Sequence, residues 1–313
     1  EVVDDTVGAP GDDDVIISVH HAGINRADLL QRMGLYPPPE DASPVPGLEV
    51  SGTVAALGKN VSDFAVGDRI CALTHGGGYA SLAIARADHC LPLPDSMATE
   101  QGAALPEALL TVWYNVFERG RLASGETVLI HGGSSGIGSI GIQMARTMGA
   151  IALSTAGSST RCAAAAKLGA QYVANHREPD LLGQFSEAGY AGNIDVILDI
   201  AGGDLMQTNL DLAAQDGRIV CIGVMRGMQS EINLATVFMK RLTLTGSTLR
   251  RLETAERARC FQSIREHIWP AIINGTITPI VDASYPLQKV LEAHQHMQSG
   301  RHFGKLVLDC RLI

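Results

Sequence analysis

The sequence predicts an α/β fold in which a doubly wound parallel sheet is inserted into a discontinuous β-rich unit. Three observations predict it. Residues 125–149, GETVLIHGGSSGIGSIGIQMARTMG, read as strand, glycine turn and helix. Short β-branched apolar runs then alternate with helical segments as far as residue 249, the pattern of crossover-connected parallel strands. On either side of this alternation the chain reads instead as brief strands punctuated by glycine. With 313 residues, 46% of them hydrophobic, it can bury the cores of two domains.

In chain order, Val15–His20 reads as a strand and Asn25–Met33 as a short helix with Leu29 and Leu30 inward. Pro37 to Pro39 cannot continue that helix; they stiffen an extended loop that holds Tyr36 near the surface, either for chemistry or simply packed on the proline rings. Strands broken by Gly47, Gly52, Gly58 and Gly67 follow, then the Gly76–Gly78 loop, another strand, and a helix over 99–119 kinked at Pro106. The central strand is Thr127–Ile130. Its helix carries Ile140, Ile142, Met144, Ala145 and Met148 at roughly helical spacing and stops at Gly149. Further strands are read at 151–157, 171–175, 195–202, 218–224 and 242–249, with a helix at 162–169. A long helix is expected over 253–275, and strands including 306–309 return to the first unit. The expected boundaries are 1–108, 109–250 and 251–313.

The glycine turn is where a dinucleotide would bind. A turn without side chains admits phosphate oxygens close to the backbone, and the first N–H groups of the helix face them with the positive end of the helix dipole behind. Gly136, Gly138 and Gly141 match GxGxxG literally but begin too far beyond the strand. The register Gly133, Ser135, Gly138 starts where the strand ends and is preferred, with Gly136 as an extra glycine. The strand that follows ends in Ala156-Gly157-Ser158-Ser159-Thr160-Arg161, which has no acid to hold a ribose 2′-hydroxyl. Hydroxyls and an arginine stand there instead, suited to a 2′-phosphate, so NADPH is the expected cofactor.

Net charge of −9 argues against nucleic-acid or membrane-surface binding, and no apolar run approaches the roughly 20 residues of a membrane span. Arg250, Arg251, Arg257 and Arg259 are interrupted by Glu253 and Glu256 and read as a solvated helix face. Six scattered cysteines without a CxxC pair suggest neither a disulfide framework nor a zinc knuckle, and a reducing, cytoplasmic setting is expected. LTLTGST at 242–248 is expected to be an edge strand that pairs across a two-fold axis, giving a homodimer.

Tyr285-Pro286-Leu287-Gln288-Lys289 is a literal YxxxK and GGSSGIG resembles the glycine motif of short-chain dehydrogenases. Pro286 directly after the tyrosine marks an extended segment or a helix start, so this reading is rejected. The chain instead resembles, over about residues 1 to 310, the medium-chain reductases of the zeta-crystallin type, the NADPH:quinone oxidoreductases, and among them the p53-inducible branch. The resemblance rests on AGINRADLLQRMGLYPPP (22–39), PGLEVSGTVAALG (46–58), VGDRI (66–70), ALPEALLTVW (104–113), the glycine stretch (125–146) and GKLVLD (304–309). It implies a Rossmann domain inserted in a GroES-like catalytic domain. It implies that Gly133, Ser134, Ser135, Gly136, Ile137 and Gly138 hold the diphosphate, and that Gly157, Ser158, Arg161 and, where relatives often have a tyrosine, His176 hold the 2′-phosphate. Ala201, Gly202, Gly223, Val224 and Met225 would flank the adenine ribose and nicotinamide. Thr111, Ser247, Thr248, Leu249, Phe303 and Lys305 would close on the nicotinamide end, and Asn25 and Tyr36 would line the substrate pocket. In the zinc alcohol dehydrogenases of the superfamily a histidine precedes the PGxE glutamate; here it is Leu48, so no catalytic zinc is expected. The expected activity is reduction of quinones or related conjugated carbonyls. The alternatives are a 2-enoyl or alkenal reductase and a non-catalytic NADPH-binding protein.

Overall fold

A computed structural model describes all residues except Glu1, Asp5, Leu312 and Ile313. Among the described residues there are thirteen strands. They are β1 (Asp14–Gly23), β2 (Glu49–Leu57), β3 (Arg69–Leu73), β4 (Leu82–Arg86), β5 (Cys90–Pro92), β6 (Thr127–Ile130), β7 (Ile151–Ala156), β8 (Tyr172–Asn175), β9 (Ile194–Asp199), β10 (Ala213–Cys221), β11 (Thr243–Gly246), β12 (Val281–Pro286) and β13 (Lys305–Asp309). The chain divides into two compact units. One holds residues up to Leu110, Leu252–Glu266 and the chain from Pro279; the other holds Thr111–Arg251 and His267–Thr278.

In the second unit six parallel strands lie in the order β11-β10-β9-β6-β7-β8. This is the doubly wound arrangement, reversing beside β6 so that the loops after β6 and β9 diverge at the sheet's C-terminal edge. Val128, Leu129, Ile130, Val196, Ile197 and Leu198 are fully buried, as strands covered on both faces must be. In the first unit a seven-stranded, mostly antiparallel sheet runs β12-β13-β1-β2-β3-β5, with β4 also paired to β1. β1 alternates half-buried and buried residues over most of its length, one face on a core of Val15, Ile17, Val19 and Leu308. The expected fold class is thus observed. Among the described residues no helix is long and apolar enough to cross a membrane.

Two helices differ from expectation. The segment 99–119 is not one kinked helix: it breaks into Thr99–Gly102, Pro106–Val112 and a π-helical turn, Trp113–Arg119. Pro106 starts a helix because it lacks an N–H and forces Leu105 away from helical geometry. The expected helix 253–275 is interrupted after His267, where Ile268 departs to φ −112° and Pro270 opens Trp269–Ile273. Tyr285 and Pro286 lie in β12, in extended backbone, consistent with the rejection of the YxxxK motif.

Candidate active site

The glycine turn after β6 packs closely against its own helix and β7. Gly132 takes φ +75°, and a Cβ on it would lie 2.6 Å from Ile200 Cδ1. Gly133 lies against β7, where a Cβ would meet Ser154 Oγ at 2.3 Å. Ser135 caps the helix Gly136–Thr147, its Oγ accepting the Gly138 N–H at 3.0 Å. At Gly138 a Cβ would sit 2.2 Å from the Gly132 carbonyl oxygen and 2.8 Å from Gly133 Cα, so only glycine lets helix and turn meet. Gly136 and Ile137 open the helix, where amides have no intrahelical acceptor. Ser134 lies in the turn itself. Gly132, whose conformation makes the turn, was not singled out in the sequence; the glycine pair after the strand was the available signal.

At the end of β7, Ser158 caps Ser159–Lys167 by accepting the Arg161 N–H at 3.3 Å. A Cβ on Gly157 would lie 3.2 Å from His176 Nε2 and 3.3 Å from Arg177 Nε, so the β7 and β8 ends converge there. The His176 pKa is lowered, first by burial and then by the fields of His131, Arg177, Arg226 and Arg161. The fields of three arginines therefore reach this histidine. Arg177 is a residue the sequence reading missed.

The next predicted group also comes together. Asp199, at the end of β9, accepts the N–H groups of Ala201 (2.7 Å) and Gly202 (3.0 Å). Gly202, at φ +63°, pairs with Gly227, and a Cβ on it would lie 3.2 Å from both the Gly223 carbonyl oxygen and Val224 Cα. Val224 and Met225 are exposed. Thr111 and Ser247 are joined through Asn115 in the π-helical turn: its Nδ2 donates to the Thr111 carbonyl at 2.9 Å, and Ser247 Oγ donates to its Oδ1 at 2.7 Å. Thr248 accepts the Arg251 N–H at 3.3 Å, and Leu249 opens a 3₁₀ turn.

In the first unit, Asn25 and Lys305 belong to one buried polar cluster. Lys305 Nζ donates to Asn25 Oδ1 at 2.6 Å and forms an ion pair with Glu49. Asn25 Nδ2 donates to Glu49 Oε1, and the Glu107 backbone N–H to Glu49 Oε2, each at 2.9 Å. Glu49 is fully buried and Lys305 is 5% exposed, so each charge depends on the other. Asp28 binds the Asn25 and Gly47 N–H groups and the Tyr79 hydroxyl; burial still raises its pKa to about 6. Burial, and then the charge of Glu49, raises Glu107 to about 8, so this acid carries its proton at neutral pH. Tyr36 is half-buried, within the field of Arg257, which Glu107 also reaches. Phe303 is half-buried, its N–H bound to Asp282 Oδ1 at 3.1 Å.

Known proteins share this fold. The zinc-binding dehydrogenase family model matches residues 136–264, and the alcohol dehydrogenase GroES-like domain model matches 11–95. Quinone oxidoreductase of Rattus norvegicus is 32% identical over 307 residues, covering 97% of this chain and 92% of that protein. The chain belongs to the quinone oxidoreductase family. Among solved members, Escherichia coli quinone oxidoreductase complexed with NADPH is 30% identical with a TM-score of 0.85, covering 98% of this chain and 94% of that one. CurK enoyl reductase, at 25% identity and a TM-score of 0.84, covers 97% and 93%.

The name of one matching model raises the question of zinc. Among the described residues no group of three or more His, Cys, Asp or Glu could hold a metal ion. Glu49, the one buried carboxylate of the PGLE segment, is already engaged by a lysine and two N–H donors. This donor set does not fit a zinc ion, which takes three protein ligands at a catalytic centre.

Proposed function

We propose that this member of the family is a zinc-independent, NADPH-dependent oxidoreductase that reduces quinones or related conjugated carbonyls by hydride transfer. The observation that carries the reading is the end of β7, where hydroxyls and arginines stand in place of the acid of an NAD site, beside a glycine turn. Bound NADPH would supply the hydride. Residues 133–138 would hold the diphosphate, and Gly157, Ser158, Arg161 and His176, with Arg177, the 2′-phosphate. Ala201, Gly202 and Gly223–Met225 would flank ribose and nicotinamide, and Asn115 would keep Thr111 and Ser247 in register. In the first unit Lys305 orients the amide of Asn25, and Asn25 with Tyr36 would face the substrate. A homodimer through the 242–248 edge accompanies this reading, and six free cysteines support a cytoplasmic location.

A second reading, 2-enoyl or alkenal reduction, is favoured by the neutral acid Glu107 in the unit that bears Tyr36. The deciding assay is NADPH oxidation with quinones, alkenals and enoyl thioesters, before and after treatment with a chelator. Quinone turnover that survives chelation is expected; no turnover of any acceptor would leave only a cofactor-binding protein. Tyr36→Phe separates the two enzymes. A quinone that accepts hydride leaves a stabilised hydroquinone anion that water can protonate, so turnover should stay within about tenfold. An enolate protonated at carbon gains about 10²- to 10⁴-fold from a positioned acid, so a fall that large on a preferred enoyl substrate selects the second reading.

A further inference from the structure

Below the predicted cofactor loops of the second unit lies an unbroken line of buried polar groups that joins two of them. Gly132 N–H donates to Thr155 Oγ1 at 3.2 Å, and Gly133 N–H to the Thr155 carbonyl at 2.9 Å, so one residue of β7 holds the glycine turn twice. Thr155 Oγ1 lies 3.1 Å from Nδ1 of His131, and His131 Nε2 lies 2.8 Å from Asn209 Oδ1. Asn209 Nδ2 donates to Asp199 Oδ2 at 3.0 Å, and the other oxygen of Asp199 takes the Ala201 and Gly202 amides. His131, Thr155, Asn209 and Asp199 are each at most 2% exposed.

The donor order places a hydrogen on one nitrogen of the histidine. Asp199 receives only donors along this line, so Asn209 turns its NH₂ to the carboxylate and its carbonyl to the histidine. Nε2 must then carry the hydrogen, and in a neutral ring Nδ1 accepts from the Thr155 hydroxyl, which itself accepts from Gly132. Burial, the largest influence, and Arg226 hold the His131 pKa below its ordinary value against the opposing pull of Asp199 and Asn209.

We propose that His131, as a neutral Nε2–H imidazole, is a positioning residue that ties the glycine turn to the Ala201–Gly202 turn, so that the two loops are ordered for the dinucleotide as one body. This rests on the NADPH reading above. Nothing in the line touches a reacting atom in this scheme; its effect is preorganisation, which appears in cofactor affinity and not in the chemical step.

The test is a double-mutant cycle on NADPH affinity, followed by nicotinamide fluorescence, with thermal unfolding as a control for folding. Thr155→Val breaks the line at one end and Asn209→Leu at the other. Each is expected to weaken NADPH about tenfold, and the double variant about as much as either alone, because a broken line cannot be broken again. Thr155→Ser, which keeps the hydroxyl, should restore wild-type affinity. The KM for NADPH should rise while kcat at saturating cofactor stays within about twofold. Single effects that multiply to about a hundredfold would overturn the coupling, and variants that bind like the wild type would overturn the role altogether. Should the variants not fold, nitrogen-15 NMR of His131 in the wild type decides: a neutral Nε2–H ring at pH 7 is expected, and an imidazolium or an Nδ1–H ring overturns the proposal. A wild type that binds no NADPH removes the cofactor reading and the positioning role with it, whereas the tautomer is still read independently.

Discussion

Arg161 lies in the first turn of the helix Ser159–Lys167, its N–H bound to the cap of that helix, which brings the residue to the end of β7. Removing its guanidinium in Arg161→Ala takes away a charge-assisted contact worth about 1.5 to 3 kcal/mol, or about ten- to a hundredfold in NADPH affinity. NADH affinity should hardly change. Equal weakening of both cofactors in a binding titration would mean that Arg161 does not read the 2′-phosphate. His176 beside it gives a second, independent signature. Burial and neighbouring cations lower its pKa from 6.5 in the free protein. A bound phosphate has the opposite field and would raise it, so NADPH binding takes up a proton and strengthens as pH falls towards the lowered pKa of this histidine in the free protein, below 6.5. NADH, without the phosphate, should show a flatter dependence over the same range. Calorimetry in buffers of different ionisation enthalpy measures that proton directly; no uptake on NADPH binding would place His176 away from the phosphate.

At the scale of elements, the turn that joins β6 to its helix distinguishes the two glycine registers by mutation. Gly138→Ala places a Cβ against backbone, 2.2 Å from the Gly132 carbonyl oxygen, which cannot swing aside. A loss of about 1–3 kcal/mol and more than tenfold weaker NADPH binding are expected. Gly141→Ala meets only side chains, Ile130 Cδ1 at 3.0 Å and Val112 Cγ2 at 3.3 Å, and should cost less than about 1 kcal/mol. Thermal unfolding and a titration check both, and the reverse order would favour the register at Gly136, Gly138 and Gly141. This turn was legible in the sequence because glycines directly after a β-branched run leave few conformations open. The alternation of strands was legible for the same local reason. What was not legible depends on residues distant in the chain. Glu49 reads as one acid in an apolar strand until Lys305 arrives beside it, and Thr155 and Asn209 read as ordinary polar residues until His131 lies between them. The broken helices escaped for a third reason. Apolar spacing continues across Pro106 and Pro270, but the missing N–H groups outweigh it.

For the whole molecule, the remaining question is what covers the outer edge of the second unit. β11 lies at the end of the six-stranded sheet, paired on one side only, to β10. Its exposed N–H and C=O groups can accept a further strand, and its residues are Thr243-Leu244-Thr245-Gly246, without the lysine or proline that blunts an edge. Leu244 is 45% exposed, and the helix Leu234–Met239 that precedes the strand buries none of its residues, leaving Leu234, Phe238 and Met239 each about two-thirds exposed. Isolated apolar residues on a surface need no partner, but four on consecutive elements, next in sequence to an open strand edge, offer a patch that a partner would cover. A second copy of the chain related by a two-fold axis offers the same edge and the same side chains, so one interface satisfies both. Light scattering is therefore expected to give the dimer mass at micromolar concentration. Leu244→Lys with Phe238→Lys should shift it to the monomer mass, since four buried ammonium groups in a symmetric interface would have no partners. The same double variant should keep its NADPH affinity within about twofold, because neither Leu244 nor Phe238 is among the proposed cofactor contacts. A wild type that elutes and scatters as a monomer would overturn the assignment, and a variant that remains dimeric would move the interface to another surface.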